Sequence, residues 1–93
     1  MRERWWGASG RRVPELAVEG DPGVPVEEAL VVAGVDDLAP IAEAFKAGRP
    51  VVVRAASADA IRDALARPEV ATVLVPEERR DLIELDLTEL TYG

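Results

Sequence analysis

The chain has 93 residues, 18 acidic against 11 basic side chains for a formal net charge of −7, an apolar share of 48%, and neither Cys nor His. Such a length suits one domain with a modest core. The missing Cys and His exclude disulfides, thiolate nucleophiles, imidazole bases and the usual zinc sites. No apolar run approaches the ~20 residues of a membrane-spanning helix and no signal-peptide pattern is present, so the expectation is a cytoplasmic protein without membrane association.

Residues 1–12 read as a basic arm. Arg2, Arg4, Arg11 and Arg12 stand against Glu3 alone, a local charge of +3 that leaves −10 on residues 13–93, the expected single α/β domain. Three readings of the arm compete. Its Arg side chains and the adjacent Trp5 and Trp6 suit phosphate contact and base stacking. The indoles equally suit covering an open part of a small core, or anchoring the chain in a partner protein. Leu16 and Val18 then alternate loosely, as in a short edge strand. Gly20-Asp21-Pro22-Gly23 marks a turn, and Pro25 delays any new strand.

The organising stretch is 29–76, which reads as strand 29–33, helix 37–47, strand 51–54, helix 57–66 and strand 70–75. Leu30-Val31-Val32, Val51-Val52-Val53 and Val73-Leu74-Val75 are continuous apolar runs, the pattern of strands buried on both faces in a parallel sheet. Asp36 or Asp37 caps the first helix, Pro40 falls in its first turn and Gly48 stops it. Ser57 caps the second helix, which ends before Pro68. The spacing predicts that Leu38, Ile41, Ala42 and Phe45 face the core from the first helix, with Ile61, Ala64 and Leu65 from the second. On that reading, truncating Phe45 to Ala removes about 3–5 kcal/mol of stability. The predicted fold class is therefore α/β: a small, mainly parallel sheet with a β-α-β-α-β core, partial-barrel-like. A final alternating run, Ile83, Leu85 and Leu87 against Glu84, Asp86 and Thr88, predicts a C-terminal edge strand.

No catalytic constellation stands out. Asp36 and Asp37 follow a core strand, where paired carboxylates suit a metal or a substrate, but a helix cap explains them more simply. Arg54 at the end of the second core strand, beside Ser57, is placed for a phosphate or for an ion pair with a nearby acid. The segment 76–81 reads as a charged, solvated turn. Neither a metal site nor a cofactor is expected.

Written out, VVVRAASADAIRDALARPEVATVLVPE over 51–77 resembles the thirty-kilodalton protein subunit family of archaeal and eukaryotic ribonuclease P. In that family a strand ends in Val-Val-Arg, a helix carries an Arg-x-Ala step, and a Pro-x-Val leads into a strand closing on Pro. Val52-Val53-Arg54, Arg62 with Ala64, Pro68 with Val70, and Pro76 follow the same order. Ala55-Ala56 replaces the family's Gly-Gly, and Ile61, Ala71 and Val75 replace its Asn, Asp and His. The resemblance spans about half the chain, whereas the family's closed α/β barrel needs about 200 residues or more. Residues 29–53, with Gly48-Arg49-Pro50-Val51-Val52, also resemble the SepF cell-division family, which anchors filaments to membranes. No amphipathic membrane anchor is evident in residues 1–12.

The resemblance to the ribonuclease P subunit implies a non-catalytic component of a ribonucleoprotein, serving tRNA processing by supporting a catalytic RNA and a partner protein. It marks Arg54 and Arg62 as RNA or partner contacts. The residues themselves favour Arg2, Arg4, Trp5, Trp6, Arg11 and Arg12. A homodimer, a SepF-like self-assembling adaptor and a small carboxylate enzyme using Asp36, Asp37 and Glu77 are the alternatives.

Overall fold

In the computed structural model, which describes residues 3–8 and 10–84, the chain opens with strands β1 (Glu3–Trp5) and β2 (Arg12–Pro14), followed by β3 (Leu16–Val18). A single 3-10 turn at Val26–Glu28 leads to β4 (Leu30–Val32), α1 (Leu38–Lys46), β5 (Val51–Arg54), α2 (Ala58–Leu65) and β6 (Val70–Val75). Two 3-10 turns that meet at a kink at Arg79 then occupy Glu77–Glu84. β1 and β2 pair antiparallel, and the other four described strands form a parallel sheet in the order β3-β6-β5-β4. The fold is thus α/β, with the β-α-β-α-β core at the positions that the three apolar runs and two caps predict. Asp37 accepts from the Ala39 N–H and Ser57 from the Ala60 N–H, each satisfying a donor that a helix start leaves without a partner.

Both helices lie on one face of the sheet. Ile41 and Ala44 of α1 and Ile61, Ala64 and Leu65 of α2 pack with Val51, Val53, Val73 and Val75. The opposite face holds Val52, Ala71 and Leu74, and no helix covers it among the described residues. The chain covers it instead with Trp6 and Val13 from the hairpin and with Val24 and Val26 from the segment crossing between β3 and β4. β6 carries an irregularity that helps this arrangement. Val51 pairs with Val70 but Val52 pairs with Thr72, so Ala71 is an extra residue in the ladder. Thr72, which is fully buried, then donates its hydroxyl to the Pro14 carbonyl, as a buried polar group requires.

The hairpin is fixed at two further places. The Ala8 N–H donates to the Gly48 carbonyl at 3.0 Å. That approach needs glycine at position 7, whose φ is +57° and where a Cβ would stand 2.4 Å from the Gly48 oxygen. The second fixing point is Arg4. Its guanidinium donates to the carbonyls of Leu65, Arg67 and Val70 at 2.6–3.1 Å and pairs with Glu15 at 3.2 Å. Carbonyls at the end of α2 have no helical donor, so a cation there meets both their lone pairs and the helix dipole.

Two expectations are corrected. Phe45, Leu38 and Ala42 are not core residues: all three are exposed, Phe45 at 56% and Leu38 at 39%, because the sheet covers only the Ile41 and Ala44 side of a wider apolar face. The cost expected for truncating Phe45 falls with them. β1 and β2 pair with each other, and Trp6 and Val13 pack on the sheet, so these residues are not an arm apart from the domain. Of the predicted C-terminal strand, Ile83 and Glu84 lie in the 3-10 segment, and the remainder is outside the described residues.

Candidate functional site

A concavity opens at the ends of the sheet where β5 and β6 begin. Trp5 and Ala8 of the hairpin, Phe45 at the end of α1, Pro50 before β5 and Pro68 before β6 line a groove of about 660 Å³. Each wall has a local cause. The indole of Trp5 is 57% exposed because it alternates with Arg4, whose side chain turns inward toward Glu15. Phe45 projects because it lies on the uncovered side of α1, in line with Leu38 and Ala42 at the helical spacing of seven and three residues. The turn at Gly48 brings the hairpin against this helix end.

Among the described residues, Trp5, Phe45 and Leu38 are the exposed large apolar side chains, and the first two share this groove. Charged groups rim it: Glu3, Glu69 and Arg49. Arg12 lies 4.5 Å from the centre of the Trp5 ring, over its face, a cation–π contact that holds the indole in place without burying it.

A second, smaller depression of about 360 Å³ lies at the carboxyl ends of the strands, lined by Glu19, Ala33, Arg54, Ala55, Ala56 and Pro76. Open α/β sheets bind ligands at this end as a rule. Here Arg54 pairs in a fork with Glu19, with Nε at 2.8 Å and Nη2 at 3.4 Å. A phosphate arriving there meets a carboxylate as well as the cation, and the Ala60 N–H at the start of α2 is already held by Ser57.

The residues singled out by sequence do not converge on one site. Arg4 faces inward, and Trp6 is 1% exposed, with its indole N–H donating to Glu28 at 3.3 Å. Arg11 and Arg12 are exposed on the hairpin, and Arg12 stacks on Trp5. Arg54 pairs with Glu19, and Arg62 with Asp59 one turn away on the surface of α2. Arg2 is outside the described residues. Of the carboxylates weighed for an enzyme, Asp37 caps α1, Asp36 is exposed beside it, and Glu77 pairs with Arg80. No cluster of three or more potential metal ligands occurs among the described residues. Sequence reasoning named Trp5 but missed Phe45, whose helical spacing assigned it to the core. The signal for it was the breadth of the apolar face of α1, which exceeds what a short strand pair covers.

Compared with protein-family models, curated proteins and solved structures, the chain matches none. No helix among the described residues is long and apolar enough to cross a membrane.

Proposed function

We propose that this protein is a non-catalytic adaptor that docks on a partner protein through the groove between Trp5 and Phe45. One observation carries the reading: two large aromatic side chains, Trp5 and Phe45, are left more than half exposed and line one groove. Aromatic anchors in a concave site are the usual centre of a protein interface. Their exposure is held by specific structure, the Arg12 stack on one side and the Gly48 turn on the other.

The test is native purification of the tagged chain from its source cells, beside a Trp5→Ser/Phe45→Ser variant. Both side chains are more than half exposed, so the variant keeps its melting temperature within a few degrees. A stoichiometric partner protein is expected with the parent chain and not with the variant. A stoichiometric partner retained by the folded variant overturns the reading, as does a parent chain that purifies alone.

The ribonucleoprotein form of this proposal, a subunit like that of ribonuclease P, draws on the exposed Arg12–Trp5 pair, which offers a nucleobase a stacking surface with a cation beside it. Arg4 is committed inward, so of the four Arg in residues 1–12 at most three, Arg2, Arg11 and Arg12, remain to neutralise phosphates. Binding of single-stranded RNA then falls with salt at a logarithmic slope no steeper than about −2, at roughly 0.7 per phosphate. A steeper slope assigns the RNA to another surface.

A further inference from the structure

Among the described strands, β4 is an outer strand of the sheet, and its surroundings state what fits its outer edge. In a parallel pair, a residue turns its N–H and C=O to the same neighbour and the next residue turns its own the other way. Leu30 donates to the Pro50 carbonyl at 3.0 Å and so faces β5. Val31 therefore presents its N–H and C=O outward, where no strand pairs with them among the described residues. Leu30, Val31 and Val32 are all only partly buried. The strand carries no Lys, Pro or bulge of the sort that usually blunts an exposed edge.

Charge guards both ends instead. Glu27 and Glu28 precede the strand, Asp36 and Asp37 follow it, and all four are exposed. Glu28 accepts from the Trp6 indole and Asp37 caps α1, so each carboxylate is held in place near its end of the strand. Arg49 also reaches this edge, donating to the Ala29 carbonyl at 3.1 Å. This pattern disfavours a second copy. Antiparallel self-pairing centred on Val31 brings the turn carrying Glu27 and Glu28 of one copy toward the segment carrying Asp36 and Asp37 of the other. Two acidic ends then meet two acidic ends, and like charges across a strand pair are destabilising.

We propose that the β4 edge receives an extended segment of a partner protein, apolar at its centre and bearing Lys or Arg at both ends, added as a further strand. Main-chain hydrogen bonds to Val31 supply the register, and the four carboxylates select the basic flanks. This site is separate from the Trp5–Phe45 groove and stands or falls independently of it.

The probe is a fluorescein-labelled peptide, Lys-Arg-Val-Thr-Val-Thr-Val-Arg-Lys, titrated with the full chain and read by anisotropy. Saturable binding that weakens with added salt is expected, and the Trp5→Ser/Phe45→Ser variant binds equally well. A peptide with Glu at the four flanking positions, and one N-methylated at alternate central residues, are each expected to bind at least about tenfold more weakly. The N-methyl peptide keeps its charge and loses its strand donors, so it separates edge pairing from charge attraction without altering the protein. Val31→Pro, which removes the outward N–H, repeats that loss from the protein side, with circular dichroism as the check on its fold. Equal binding of the parent and N-methyl peptides overturns the proposal, as does the absence of saturable binding by the parent peptide.

Discussion

Arg4 shows how a single side chain can read as a contact for ligands and serve the fold. Its guanidinium meets three carbonyls around the end of α2 and the carboxylate of Glu15, which is 1% exposed. Arg4→Ala strands that carboxylate without its cation, and removing one partner of a buried pair costs about 3–5 kcal/mol. Domains of this size hold roughly 5–15 kcal/mol in all, so the variant is expected to be marginal in urea denaturation. Arg4→Lys is expected to recover little, because a single ammonium cannot fork across several acceptors as a planar guanidinium does. Replacing the pair together, Arg4→Met with Glu15→Met, is expected to recover much of the loss, because no buried charge then remains uncompensated. A double variant as unstable as Arg4→Ala shows that the carbonyl contacts, not the ion pair, are the larger part.

At the level of elements, the helices and the three central strands were legible because their signals are local. Continuous valine runs, Asp37 and Ser57 as caps, and Gly48 as a stop each act within a few residues. The β1–β2 hairpin was not legible in this way. Its strands are three residues each, its alternation is Glu-Arg-Trp and Arg-Val-Pro, and its reason for folding is the uncovered sheet face on which Trp6 and Val13 lie. That reason appears only once the sheet exists. Phe45 was misplaced for the converse cause: helical period fixes which residues share a face, and only the sheet decides how much of that face it covers. The hairpin gives a test. Gly7→Ala forces a positive φ on a side chain and sets a Cβ against the Gly48 carbonyl, with an expected cost of about 1–3 kcal/mol. A melting temperature unchanged in Gly7→Ala would mean that the contact with Gly48 does not hold the hairpin.

For the molecule as a whole, the charge of −7 and the acidic ends of the β4 edge act in one direction. Net charge of one sign keeps like molecules apart, and the effect is screened by salt. The chain alone is therefore expected to sediment as a monomer at micromolar concentration in low salt, and to form a heteromer when a basic partner is added. A dimer stable in low salt, whose affinity does not rise as salt screens the acids, would place self-association on a surface other than the β4 edge. Loss of the groove side chains leaves the monomer unchanged and removes only the heteromer that depends on them.

β3 joins the sheet beside β6, and Arg4 closes on the carbonyls of Leu65, Arg67 and Val70, so the beginning of the chain is completed by its far side. This has a kinetic consequence. The run from β4 to β6 is made of neighbouring segments and can assemble before the N-terminal portion is in place, whereas pairing β3 with β6 and closing Arg4 on the end of α2 each join residues more than fifty positions apart. Loop closure has an entropic cost that is met before the contacts form, which favours the local segments first. Arg4→Lys should then leave the folding limb of a chevron nearly unmoved and raise the unfolding rate, with the early-formed β4–β6 unit behaving as the nucleus. A variant that instead slows folding and spares unfolding would make the first residues of the chain part of the event that starts the fold.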